Sequence, residues 1–201
     1  MQSCKPLLLF PCILWGHKKV KIIRILLALV GLGVGVAASW AVMDTMIHAT
    51  GDDAFCGSCH SHAPISASYR EDPHGGNNAS GWRATCSQCH IPQGNALKYL
   101  WVKGVHGVVD PTMEILKDPL DIDWHGNRER REEYVYDSGC LSCHLYLQEK
   151  EGNRRAFRSH RRYFQDPDDY TCVECHENTG HNRLGYHLEQ MGWGKPQGDE
   201  E

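Results

Sequence analysis

The chain has 201 residues, a formal net charge of −4, ten cysteines and 13 histidines. Only five of its 21 Lys and Arg residues precede residue 44, so residues 44–201 hold 16 basic residues against 25 acidic ones. This acidic balance argues against a nucleic-acid-binding function, because nucleic-acid-binding proteins carry a basic surface.

An uncharged segment near the amino terminus predicts a membrane anchor. Residues 25–43 carry no charge, and a helix of this length extends roughly 28 Å, enough to cross a hydrocarbon core. Residues 1–24 carry only basic charges, so they are expected to stay in the cytoplasm, with residues 44–201 on the outer side. A cleaved signal peptide is the alternative, since Ala37, Ala38 and Ala41 are small, but the apolar run exceeds a usual signal core.

Four Cys-x-x-Cys-His motifs follow the apolar segment. Each is typical of c-type haem attachment, in which two thiols bond to the haem vinyl groups and the histidine lies beside the iron. Paired cysteines also bind zinc, but zinc does not require a histidine directly after the second cysteine. We therefore predict four covalently bound haem c groups, held outside the cytoplasm. The attaching cysteines are Cys56, Cys59, Cys86, Cys89, Cys140, Cys143, Cys172 and Cys175.

The spacing of the motifs predicts two dihaem halves. The first two motifs begin at Cys56 and Cys86, and the last two begin at Cys140 and Cys172. These two intervals are nearly equal, whereas the interval between the second and third motifs is much longer. Residues 44–201 have little aliphatic sequence for a large core, and strand alternation is hard to find. The expected fold is mainly α with extensive loops: one N-terminal transmembrane helix and a compact multihaem c-type domain, with porphyrins serving as the core.

Two histidines occupy equivalent positions in the two halves. His74 precedes Cys86 by the same interval at which His160 precedes Cys172. A low-spin haem needs a second axial ligand, so this symmetry predicts that both histidines bind iron.

The segment around the second motif shows a family resemblance. Residues 80–92 read Ser-Gly-Trp-Arg-Ala-Thr-Cys-Ser-Gln-Cys-His-Ile-Pro, with His74 ahead of them, Asp137-Ser138 before the third motif and His181 shortly after His176. This pattern resembles the NapC/NirT family of membrane-anchored tetrahaem quinol dehydrogenases, which includes the NrfH type. With the anchor and motif order, the resemblance covers residues from about 20 to 185, although residues 93–135 match poorly.

The resemblance implies that distal ligands are exchanged between motifs. His74 would bind the fourth haem and His181 the third, and the internal symmetry would then leave His160 for the second. Two histidine ligands give a lower potential than a Met/His pair. The ligands on the motif side would be His90, His144 and His176.

The first motif departs from the family pattern, which is Cys-x-x-Cys-His-x-Met with the Met as an axial ligand. Here His62 stands at the Met position. Either His62 replaces the Met, or His60 binds iron and His62 is a neighbour; a solvent-exposed loop histidine is a further alternative. Histidine in place of Met would lower the potential.

A quinol site beside the first haem would need a base and a hydrogen-bond donor. NrfH-type members have a Lys and an Asp seven residues apart near that haem. Lys103 and Asp110 have this separation and are the candidates, with Lys98 and His106 as rivals. Ordinary polar surface residues are the alternative.

The resemblance implies a function in respiration at the bacterial cytoplasmic membrane. The chain would oxidise quinol and pass electrons to a periplasmic terminal reductase, such as a nitrate or nitrite reductase. Alternatives are an outlet to other periplasmic cytochromes or extracellular acceptors, and a non-catalytic haem anchor subunit. The expected partners are the membrane, its quinol pool and a periplasmic reductase or cytochrome, with no nucleic acid. The acceptor, the quinone type and a homo-oligomeric state are left open.

Overall fold

The computed structural model describes the backbone of residues 9–148 and 153–193, and the side chains from residue 20 onward within those ranges. The described residues form helices and loops, and none of them lies in a strand. This confirms the predicted mainly helical fold class. The chain divides into two units, with the boundary between Ala49 and Thr50.

The first unit contains one long helix, α1 (Leu9–Ala49). An 18-residue window of its segment Val20–Ala49 has a mean hydropathy of 2.3, and none of that window is buried inside the protein. A helical segment of this length extends about 45 Å, more than the hydrocarbon core of about 30 Å. By length and composition α1 is able to cross a membrane. It extends beyond the predicted anchor, residues 25–43, at both ends.

The second unit consists of short helices joined by loops. Among its described residues are four 3-10 turns, at His60–His62, Pro73–Gly75, Pro119–Asp121 and Arg131–Glu133. The α-helices are α2 (Asp53–Cys56), α3 (Ala63–Glu71), α4 (Cys86–His90), α5 (Ala96–Leu116), α6 (Trp124–Glu129), α7 (Asp137–Cys143), α8 (Arg154–Gln165), α9 (Cys172–Cys175) and α10 (Leu184–Gln190).

The apolar core of the second unit is small. Helix α3 packs against α10, and α4 packs against α7. So few buried apolar side chains supply little of the buried surface that a domain of this length requires, which agrees with the expectation that haem groups complete the core. The buried hydrophobic side chains of the described residues are Tyr69, Ala84, Ile91, Val173 and Leu188.

The helices of the second and fourth motifs begin in the same way. The backbone N–H of Thr85 donates to Gln88 Oε1 at 2.7 Å, and that of Thr171 donates to Glu174 Oε2 at 3.2 Å. Each side chain satisfies a backbone donor at a helix start, as in a capping box. The repetition supports the two-half organisation, which stays a prediction.

Gly139 lets the helices of the second and third motifs approach closely. A Cβ atom at this position would overlap the backbone carbonyl of Gln88 in α4. Beside it, the N–H of Tyr136 donates to the carbonyl of Cys89 at 3.0 Å. The contact between α4 and α7 therefore depends on the absence of a side chain at residue 139.

Substitution of Gly139 by alanine is expected to destabilise the second unit. The added methyl must push α7 away from α4, at a cost of about 1–3 kcal/mol. Gly107→Ala in α5 is the matched control, because a Cβ atom at Gly107 would have nothing within 4 Å and alanine favours a helix. Thermal unfolding followed by circular dichroism measures both. Equal midpoints for the two variants would contradict the packing role of Gly139.

Candidate functional site

The four Cys-x-x-Cys-His segments contact one another in chain order. Cys56 and Cys86 are neighbours, which joins the first segment to the second. Cys140 and Cys172 are likewise neighbours, which joins the third segment to the fourth. The packing of α4 on α7 joins the second to the third. The four attachment segments therefore form one continuous series.

Six histidines form three facing ring pairs. Two imidazoles on opposite sides of one metal ion have centroids about 6 Å apart, given metal–nitrogen bonds of about 2 Å and about 1 Å from each nitrogen to its ring centre. Each observed pair joins the histidine of one motif to a histidine outside the motifs, so the residues fit a six-coordinate haem iron. The pairs are His90 with His181 at 6.0 Å, His144 with His74 at 6.2 Å, and His176 with His160 at 6.2 Å.

Hydrogen bonds at Nδ1 orient several of these rings. His90 Nδ1 donates to the Tyr134 carbonyl at 2.7 Å, and His181 Nδ1 lies 3.3 Å from the Ile65 carbonyl. His74 Nδ1 lies 3.0 Å from Asp72 Oδ1. A proton on Nδ1 leaves Nε2 as the nitrogen available to a metal.

Burial favours the neutral form of two of these six histidines. Desolvation lowers the pKa of His181 to about 4, and it also lowers the pKa of His90 below its ordinary value. Both imidazoles are therefore uncharged at neutral pH, which is the form that binds metal ions.

The structure corrects the predicted exchange of distal ligands. His74 faces the third motif and not the fourth, His181 faces the second and not the third, and His160 faces the fourth and not the second. Long-range packing decides this distribution. Ser68 Oγ, on α3, lies 3.2 Å from His181 Nδ1, whereas His160 is carried by α8. The assignment of these residues as iron ligands stays a prediction, which the ring geometry supports.

The first segment is organised around a residue that sequence reasoning missed, Glu114 of α5. Its carboxylate contacts His60 Nδ1 and accepts hydrogen bonds from Ser61 N, at 3.3 Å, and from Ser61 Oγ. Ser61 Oγ also lies 3.1 Å from His62 Nδ1. Glu114 lies in the poorly matching stretch 93–135, but its position four residues after Asp110 was a usable signal, since such residues share a helix face.

The candidate quinol residues lie on the same face of α5. Lys103 Nζ donates to the Thr50 carbonyl at 3.0 Å, and His106 Nδ1 lies 3.1 Å from Asp110 Oδ2. Lys103 and Asp110 are separated by about 10 Å along the helix axis. Of the two rivals, His106 is thus the partner of Asp110.

Lys98 lies elsewhere on α5. Its Nζ is 5.8 Å from the centre of the Tyr136 ring, and its backbone N–H donates to the side chain of Asn95, which caps the helix. These contacts direct Lys98 towards the segment that precedes the third motif and separate it from the other candidates.

Several known proteins are similar to this chain. One is the tetraheme c-type cytochrome CymA of Shewanella oneidensis, 30% identical over 77% of this chain and 88% of that protein. Another is a putative tetraheme cytochrome-c type protein of Allochromatium vinosum, 33% identical over 74% of this chain and 83% of that protein. A crystal structure of the cytochrome c nitrite reductase NrfHA complex bound to the HQNO inhibitor contains a chain that matches with a TM-score of 0.53 and 27% identity, over 78% of this chain and 91% of that one.

A profile described as the NapC/NirT cytochrome c family, N-terminal region, matches residues 17–186. The matched range takes in the apolar part of α1 together with all four attachment motifs. The chain therefore belongs to the NapC/NirT cytochrome c family, as a single-pass membrane protein that carries four covalently bound haem c groups.

Proposed function

We propose that the chain oxidises membrane quinol beside its first attachment segment and delivers the electrons to a periplasmic reductase or cytochrome. The observation that carries the proposal is the polar face of α5. There His106 pairs with Asp110, Lys103 donates to the Thr50 carbonyl, and Glu114, one turn after Asp110, contacts His60 of that segment. The bound haem groups supply one-electron redox chemistry. The chain supplies proton transfer, orientation of the quinol and the series of attachment segments.

Proton transfer is the task of the polar face of α5. Quinol oxidation releases two protons with two electrons, so the site needs an acceptor and a hydrogen-bond donor. The Asp110 carboxylate, paired with His106, is the acceptor. The Lys103 ammonium is the donor that orients a quinol oxygen, and burial lowers its pKa below the ordinary value.

The opposite face of α5 supports access to the membrane. Four of its apolar side chains are about two-thirds exposed or more: Leu97 at 81%, Trp101 at 73%, Val108 at 68% and Ile115 at 83%. Their spacing places them on one side of the helix, away from Lys103 and Asp110. A helix with one apolar and one polar face is suited to the membrane interface, and quinol is dissolved in the adjoining membrane.

The chain connection supports the same location. Lys103 donates to Thr50, and Thr50 directly follows Ala49, the residue at which α1 ends. The middle of α5 is therefore within hydrogen-bonding distance of the first residue after the membrane-spanning helix.

The basic residues of segment 1–24 and the acidic residues that follow the uncharged segment 25–43 favour a periplasmic position for the second unit. A similar chain is part of a nitrite reductase complex, which supports a periplasmic reductase as the electron acceptor. Every residue that the proposal uses lies in one chain, so it does not require a homo-oligomer.

Removal of either quinol residue is expected to slow electron entry. Asp110→Asn and Lys103→Met should each reduce the rate of quinol oxidation by on the order of 10²-fold, the size of a general acid–base contribution. Stopped-flow reduction of the full-length protein in vesicles by a quinol, with and without HQNO, measures this rate. All four haems should remain present and reducible by dithionite.

Lys98→Met is the matched control, because it removes a lysine from α5 outside the proposed site, and its rate should equal that of the unsubstituted protein. The proposed base is wrong if Asp110→Asn oxidises quinol at the normal rate while His106→Ala does not.

A further inference from the structure

Glu114 has an environment that the quinol chemistry does not explain. Its side chain is 15% exposed, and a carboxylate with so little contact with water needs hydrogen-bond donors. The donors that reach it come from the first attachment segment: the N–H and Oγ of Ser61, and Nδ1 of His60. Glu114 thus connects α5 directly to the residue that follows Cys59.

The acceptor at Nδ1 differs between the histidines of the site. His90 and His181 have backbone carbonyls at Nδ1, whereas His60 has the carboxylate of Glu114. A charged acceptor forms a stronger hydrogen bond than a neutral one, and it makes the other ring nitrogen a more basic ligand. A more basic ligand stabilises oxidised iron, so the reduction potential falls.

We propose that Glu114 is a positioning residue for the first haem: its carboxylate accepts the Nδ1 proton of His60, directs His60 Nε2 to the iron and lowers the reduction potential of that haem. The inference rests on the bound haem and not on quinol oxidation, so the two proposals fail separately.

The contacts also choose between the two histidines of the first segment. Glu114 contacts His60 Nδ1 directly. It also hydrogen-bonds to Ser61 Oγ, which lies 3.1 Å from His62 Nδ1, and a Glu114 carboxylate oxygen lies within 4.8 Å of a His62 ring nitrogen, beyond contact distance. His60 therefore has the arrangement seen at His74, whose Nδ1 also faces a carboxylate, that of Asp72. His60 is assigned as the iron ligand of the first haem, and His62 as its neighbour.

A redox titration of the intact four-haem protein with chemical mediators tests the inference without quinol. Glu114→Gln keeps the shape of the acceptor but removes its charge, so one of the four midpoint potentials should rise while the other three stay. Glu129→Gln is the charge-matched control, because Glu129 is exposed on α6, and it should leave all four potentials in place. Asp72→Asn should raise a different one of the four, that of the haem bound by His74.

Two results would overturn the inference. One is a Glu114→Gln protein whose four potentials change no more than those of Glu129→Gln. The other is a Ser61→Ala protein that shows the full shift of Glu114→Gln, because the connection would then run through Ser61 to His62. If Glu114→Gln does not retain four haems, Glu114→Asp is titrated instead. Aspartate is one methylene shorter, so its carboxylate lies farther from His60. This variant should therefore raise the same potential by a smaller amount.

Discussion

Replacement of both Cys86 and Cys89 by alanine is expected to leave three haems per chain and a second unit that no longer folds stably. The second segment is central to this unit. Its helix α4 packs on α7, and Ser87 N donates to the Gly51 carbonyl at 2.9 Å. The protein core is small, and the net stability of a domain is only about 5–15 kcal/mol, so loss of the surface buried against one haem is expected to unfold the second unit.

Haem quantification per chain and the rate of limited proteolysis measure this effect. The matched control is the double substitution of Cys4 and Cys12, the two cysteines outside the motifs, which should retain all four haems. Four haems per chain in the Cys86→Ala, Cys89→Ala protein would contradict the attachment assignment.

Substitution of any one of the three distal histidines by alanine is expected to convert one low-spin haem to a high-spin haem. His181→Ala should affect the second haem, His74→Ala the third and His160→Ala the fourth, because each removes one ring of a pair whose centroids are 6.0–6.2 Å apart. Loss of an axial imidazole leaves the iron with five ligands and a weaker ligand field.

Electron paramagnetic resonance detects the change of spin state, and paramagnetic NMR shifts identify the haem. The shifts should centre on Ile91 for His181→Ala, on Leu145 for His74→Ala and on Glu177 for His160→Ala. His125→Ala is the control, since the His125 ring contacts Arg128, and the three haems served by the ring pairs should stay low-spin in it. A high-spin signal near Glu177 in the His74→Ala protein would favour the exchange implied by the family resemblance over the observed pairs.

The sequence alone determined the cofactor, the membrane anchor and the helical class of this protein. A Cys-x-x-Cys-His motif is complete within one short segment, so its chemistry does not depend on the rest of the fold. The uncharged run over residues 25–43 is equally local, because the bilayer sets its length and composition. The small core also followed from the sequence, since the scarcity of aliphatic residues is a property of composition.

Tertiary structure alone decided which distal histidine faces which motif, and it brought Glu114 to His60. The whole of the second motif and helix α5 separate His74 from His144 in the chain, and their meeting depends on the packing of α4 on α7 and of α3 on α10. No local sequence pattern predicts such contacts. His74 and His160 have the same spacing from the motifs that follow them, yet each lies beside a different motif in the folded chain. Glu114 was likewise an ordinary helical carboxylate until packing placed it against the first attachment segment.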